Sequence, residues 1–217
     1  MSTLDQFNQH RSDKDFAAKQ RPRGHSALYQ DIKVHFDMLG GRSRLRKLVR
    51  CLLTPGVQAV IAFRFGTWLL HQPIAVRLLL HPVYALCHTY VLVIWGIDIE
   101  RGATIGPGLY VGHFGGINIS GAAIIGRNCF ISQGITIGVA GQGDRRGAPQ
   151  VGDDVYIAPG ARIFGKITIG NDCKIGANCV VHKDIPNGAT VVTTGGCEVH
   201  SIYGKRISGT YHPSDLP

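Results

Sequence analysis

The sequence predicts a mainly β protein, a parallel β-helix preceded by an α-helical region, and three observations carry that prediction. Aliphatic residues recur every six positions: Ile99, Ile105, Val111 and Ile117, then Ile119, Ile125, Ile131 and Ile137, then Val151, Ile157, Ile163, Ile169, Ile175 and Val181. Glycine makes up 29 of 217 residues, roughly double its usual ~7 % share, and often directly follows those aliphatics, as at Gly106, Gly126, Gly138, Gly152, Gly170 and Gly176. Residues 26–96 are instead rich in Leu and Ala with few turn signals. Six residues make one short strand and one tight turn, so three hexads make an 18-residue coil whose aliphatics stack on those one coil later. This predicts Ile99 on Ile117 and Ile157 on Ile175. The other broad classes fail on composition. A 44 % hydrophobic content can build a core, 17 % charged residues are too few for a coiled coil, and glycine every third residue is absent.

Taken in order, residues 1–25 read as a polar arm, with Pro22 and Gly24 near its end. Residues 26–96 read as several helices broken near Gly40-Gly41, Pro55, Pro73 and Pro82. Within them, Leu78 to Ile97 carry no formal charge, which is long enough to span a bilayer. His81, Pro82 and His88 interrupt that run, and a helix face packed on another subunit reads the same way. Residues 97–195 hold the hexads. The residue two before each aliphatic is small or apolar, as at Ala103, Cys129, Val155, Ala161, Ile167, Cys173 and Cys179, which places these thiols in the core as inert side chains. Residues 196–217 hold no hexads and read as a tail.

The formal charge of +9 favours anionic partners, and Arg42, Arg44, Arg46, Lys47 and Arg50 concentrate it. Together with the apolar helices, this cluster predicts peripheral contact at the inner face of a membrane. No aromatic stacking platform accompanies it, which argues against nucleic acid. Six cysteines without a CxxC pair, behind a polar N-terminal stretch, predict a reducing cytoplasm. Within the hexads only His113 and His182 could serve as imidazole ligands, so no metal is expected.

Chemistry is expected where the repeat breaks. The first break is Val111-Gly112-His113-Phe114-Gly115-Gly116-Ile117-Asn118-Ile119, which adds two residues and aims a Gly-flanked histidine into a cleft. The second, between Ile137 and Val151, adds about eight residues and makes residues 138–150 a protruding loop bearing Asp144, Arg145 and Arg146.

The hexad texture resembles the hexapeptide-repeat acyltransferases, which implies a left-handed β-helix, a homotrimer with active sites between subunits, and acetyl-CoA as co-substrate. Within that superfamily the chain resembles the serine acetyltransferases and their relatives in surface-polysaccharide gene clusters. The resemblance is carried by Gly96-Ile97-Asp98-Ile99-Glu100-Arg101-Gly102-Ala103-Thr104-Ile105-Gly106 and by the run from Phe63 to Leu69. It implies His113 as general base and Asp98, fifteen residues earlier, as its orienting carboxylate. It also implies a donor path along Gly138, Val139 and Ala140, then Ala158, Pro159 and Gly160, then Gly176, Ala177 and Lys183.

Three departures bear on the acceptor. Gly112 stands where the family has Asp, the stretch near Gly41 is basic where the family is acidic, and Arg146 stands where the loop has His. Arg145 and Arg146 suit phosphate or carboxylate. The expected acceptor is therefore a hydroxyl of a saccharide or sugar precursor in surface-polysaccharide biosynthesis. The alternatives are the serine O-acetyltransferase of cysteine biosynthesis and a non-catalytic β-helical scaffold.

Overall fold

A computed structural model of the protein describes residues 26–41, 43–143 and 146–193, with the backbone of residues 201–202 and 205–206. Helices α1 (Ser26–Met38), α2 (Arg44–Leu52), α3 (Pro55–Leu70) and α4 (Ile74–Trp95) precede the β region. The expected breaks at Gly40-Gly41, Pro55 and Pro73 separate these helices, with Pro55 opening α3 and Pro73 capping α4. Pro82 does not break a helix: it lies inside α4. Its ring is exposed, so the Leu78 carbonyl that loses its N–H donor is on a face open to water. α4 ends where Gly96 turns left-handed at φ 62°.

Three parallel sheets follow, each built from every third strand. The first holds β1 (Ile97–Ile99), β4 (Ile117–Ile119), β7 (Thr136–Gly138), β10 (Arg162–Phe164) and β13 (Val180–Val181). The second holds β2 (Thr104–Ile105), β5 (Ile124–Ile125), β8 (Gln150–Val151) and β11 (Thr168–Ile169). The third holds β3 (Tyr110–Val111), β6 (Phe130–Ile131), β9 (Tyr156–Ile157), β12 (Lys174–Ile175) and β14 (Thr190–Val191). This is a parallel β-solenoid of about five turns. Beyond it, β15 (Ser201–Ile202) and β16 (Lys205–Arg206) pair antiparallel.

The register locates both breaks. Ile157 pairs with Ile175 in the regular 18-residue coil, as expected. In the first coil Ile97 pairs with Ile117 and Ile99 with Ile119, a 20-residue step, so Ile99 does not stack on Ile117. The two extra residues enter before β4 and move every partner along by two. A shift of two keeps each side chain on its face, and Ile117 and Ile119 are both buried. Ile125 pairs with Val151, 26 residues on, which places eight extra residues in the loop after β7.

The interior is a column of aliphatics, with Ile131, Ile137, Ile157, Ile163 and Ile175 fully buried. Each such side chain contributes about 1.5–3 kcal/mol by leaving water. Cys129, Cys173 and Cys179 fill the tight inner positions expected of them, and burial pushes the Cys129 thiol up to about 12, far from reactive thiolate.

Candidate active site

The helical region is fastened to the first coil by a buried polar cluster. Asp31 on α1 is fully buried and receives Arg64 from α3, with Nε at 2.7 Å and Nη2 at 3.3 Å. The same carboxylate accepts the backbone N–H groups of Gly108 and Leu109 at 2.7 and 2.8 Å. Arg64 spends its remaining donors on the carbonyls of Ile105 and Gly106, both at 2.7 Å. One turn along α1, the His35 ring nitrogen Nδ1 donates to the Asp31 carbonyl at 2.7 Å, and Nε2 accepts the Val111 N–H at 3.1 Å. These two bonds require neutral imidazole with its proton on Nδ1. Burial holds the His35 pKa below its usual value, opposed by the Asp31 carbonyl and carboxylate.

His113 follows two residues after Val111. The chain there turns through Gly115 and Gly116 at φ 98° and 66°, a conformation a side chain disfavours, and His113 projects as an exposed ring. Beside it Phe114 meets Trp95 edge to face at 5.3 Å, and the Trp95 N–H donates to Gln58 Oε1 at 2.9 Å. The bulge is thus braced by α1 through Val111 and by α4 through Phe114.

Asp98 is not brought to His113 within the single chain. Its Oδ1 lies 3.2 Å from Nε2 of His88 on α4, and both atoms are buried. The two are not aligned as a hydrogen bond, and neither has another partner among the described residues.

The remaining candidates divide between two edges of the solenoid. His113 lies on the edge from the third sheet to the first. Along it Gly134 N–H donates to Gly115 O, Gly160 N–H to Gln133 O, and Asn178 N–H to Pro159 O, at 2.8, 3.0 and 2.9 Å. Ala158, Pro159, Gly160, Gly176 and Ala177 therefore rise directly along the edge that carries His113. Gly138 ends β7, Val139 and Ala140 follow it, and Lys183 follows β13, so these four lie at the next edge, from the first sheet to the second. There Ala140 and Gly147 exchange hydrogen bonds at 3.0 Å and close the neck of the loop. Arg146 is exposed on that loop, while Asp144 and Arg145 lie outside the described residues. The sequence treated both groups as one donor path, but a single chain separates them by the width of the first sheet.

Several residues of this neighbourhood were missed by sequence reasoning. His35 and Asp31 carry a recognisable signal as an i, i+4 pair on one helix face, and Arg64 as the lone charge inside an apolar helix. His88 carries none, because its neighbour Asp98 belongs to a different element. Gln133 has its buried side-chain oxygen unpartnered among the described residues, at the edge that carries His113. Among the described residues no group of three His, Cys, Asp or Glu is placed to hold a metal ion.

An exposed imidazole on a braced bulge, beside an edge of small residues through which a ligand can reach backbone, defines a hexapeptide-repeat transferase. The bacterial transferase hexapeptide (six repeats) family model matches residues 148–183. The serine acetyltransferase of Synechococcus elongatus is 35 % identical over 192 residues, covering 88 % of this chain and 74 % of that protein. That of Mycobacterium tuberculosis is 38 % identical over 138 residues, covering 64 % of this chain and 58 % of that one. The serine acetyltransferase of Brucella abortus strain S19, solved in complex with coenzyme A, superposes with a TM-score of 0.65 at 27 % identity, covering 85 % of this chain and 71 % of that one. The chain belongs to the hexapeptide-repeat serine acetyltransferase family and is an acetyltransferase.

Proposed function

We propose that the protein transfers the acetyl group of acetyl-CoA to the hydroxyl of serine, with His113 as general base. The observation that carries the reading is the exposed His113 on its braced bulge, in a chain 35 % identical to a serine acetyltransferase. His113 takes the proton of the serine hydroxyl as that oxygen attacks the thioester carbonyl. The tetrahedral intermediate collapses by breaking the carbon–sulfur bond, and the imidazolium returns the proton to the departing thiolate. O-acetylserine and free coenzyme A result, with no covalent enzyme intermediate. The family resemblance assigns Asp98 to orient His113, whereas within the single chain its Oδ1 lies 3.2 Å from His88 Nε2.

The donor assignment rests on the coenzyme A complex of the Brucella abortus relative and on the small residues Ala158, Pro159, Gly160 and Ala177 along the His113 edge. In this proposal a second copy presents its adjacent edge, with Gly138 to Ala140, Lys183 and Arg146, to His113. This supports a homotrimer with sites between subunits.

A second reading, acetylation of an anionic saccharide, is favoured by one observation. A Cβ added at Gly112 would lie 3.2 Å from both the Tyr110 and Phe130 rings, so the aspartate that precedes the base in the resembling family meets crowded space here.

Thiol release from acetyl-CoA, measured against serine and a panel of sugars, tests both readings. Serine turnover with kcat/KM on the order of 10⁴ M⁻¹ s⁻¹ or higher supports the first. Sugar turnover without serine turnover overturns it in favour of the second. His113→Ala lowers kcat by roughly 10²–10⁴-fold with unchanged thermal unfolding, and retained activity removes His113 as the base.

A further inference from the structure

From α2 we infer that this helix docks the protein on the surface of an anionic lipid bilayer, lying in the interface without crossing it. One side of α2 is fixed to α1: Cys51 is fully buried with its Sγ 3.8 Å from the Ile32 carbonyl, and Lys47 Nζ sits 4.3 Å above the Phe36 ring. Helical spacing gathers Leu45, Leu48, Val49 and Leu52 on a single face, and all four are exposed, Leu45 at 72 %. Arg44 and Arg46 flank that face on either side, Arg50 lies beyond Arg46 farther round the helix, and all three are exposed. An apolar stripe turned to solvent with guanidiniums along its borders is the arrangement of a helix that inserts its stripe below phosphate headgroups.

Charge selects the occupant. From Met38 to Ile97 there is no Asp or Glu at all, against seven Lys and Arg. Among the described residues Arg64 is the one neutralised internally, by Asp31. A second copy meeting α2 face to face would set arginine against arginine with no carboxylate from this region to pair them, and like charges across an interface are costly. A phosphate-bearing lipid surface supplies both missing complements, anionic headgroups for the borders and acyl chains for the stripe.

Packing ties one face of the apolar helix to protein. The one described helix long and apolar enough to cross a bilayer is α4. It is committed to protein by Tyr84, buried against Gly66 of α3, by Val91 in the core, and by Trp95 against Phe114 of the solenoid. The opposite face of α4, with Leu78, Leu79, Leu86 and Val93, stays exposed.

The test is flotation of the full chain with phosphatidylcholine vesicles, with and without phosphatidylglycerol. The wild type floats only with the phosphatidylglycerol-containing vesicles and is released as salt shortens the Debye length. Arg46→Gln with Arg50→Gln removes two charges and weakens binding by roughly thirtyfold. Leu48→Ser with Leu52→Ser weakens it at constant charge. All four side chains are exposed, so unfolding temperature and oligomeric mass stay at wild-type values. No flotation, equal flotation with the neutral vesicles, or variants that lose oligomeric mass while floating as wild type would each overturn the inference, the last assigning α2 to a subunit contact. Serine turnover is measured separately, and its failure leaves this result untouched.

Discussion

Replacing Asp31 by Asn keeps its shape and removes its charge. Asp31 is fully buried, and its Arg64 partner is 8 % exposed. Its carboxylate accepts from Arg64 Nε and Nη2 and from the Gly108 and Leu109 N–H groups. An asparagine has one oxygen to offer these four donors, and its amide turns a donor toward the rest. Arg64 also becomes a buried charge without a counter-ion, a change that costs about 3–5 kcal/mol. For a chain of this size that corresponds to a fall of roughly 6–20 °C in unfolding temperature. Thermal unfolding followed by circular dichroism reads it. The second variant, Asp31→Leu with Arg64→Met, is more telling. Buried ion pairs are often replaceable by apolar residues at no cost, because the pair only repays its own desolvation. Here the pair also satisfies four main-chain groups of the first coil, at Ile105, Gly106, Gly108 and Leu109, and leaving those unpaired costs about 1–3 kcal/mol each. The double variant is therefore expected to stay destabilised. A double variant as stable as the wild type would refute the view that the pair exists to satisfy the solenoid's backbone.

Two other perturbations separate competing effects. His35 accepts the Val111 N–H only when neutral, and burial holds its folded-state pKa below 6.5. Its contribution is present above the unfolded-state value and lost as pH falls through the folded one, so protonation both destabilises the fold and turns a donor toward Val111, two residues from His113. The unfolding temperature of the wild type should fall more steeply below about pH 6.5 than that of His35→Gln, and parallel profiles would sink the assignment. At Gly66 a helix gains about 1 kcal/mol from alanine, but the new Cβ would overlap the Tyr84 ring, buried where α3 and α4 meet. Overpacking of about 1–3 kcal/mol wins, so Gly66→Ala lowers the unfolding temperature, and a rise would show that the Tyr84 ring has room to move.

What sequence made legible was whatever depends on local period. The buried aliphatics, the inert thiols and both interruptions follow from hexad counting, because each residue's partner lies one coil away and its direction is set by alternation. The pairing of Ile99 with Ile119 rather than Ile117 escaped it, since two extra residues preserve the inward face and leave the aliphatic pattern intact. Pro82 misled because an interior proline can be accommodated within a helix, here with Pro82 and Leu78 both on an exposed face. The supports of the site were less visible because they join distant elements: His35 reaches Val111 across 76 residues. No periodicity encodes such a contact, only the docking of α1 on the third sheet.

The same distinction explains why the candidate site divides. A solenoid places residues at six-residue intervals on successive edges, so a base on one edge and a loop on the next cannot meet within one chain however regular the coils are. His113 and the small residues of its own edge, Pro159 and Gly160, are brought together by main-chain hydrogen bonds between coils. Arg146, whose N–H donates to the Gly143 carbonyl at 3.0 Å, and Lys183 lie on the neighbouring edge. In the proposed trimer, edges from different copies face one another, and the proposed base, the small-residue edge and the basic loop share a cleft. His113 is exposed and makes no hydrogen bond among the described residues, and in the proposed trimer it and the loop are the two halves of one site. Activity is accordingly expected to track assembly more closely than it tracks the stability of the isolated coil.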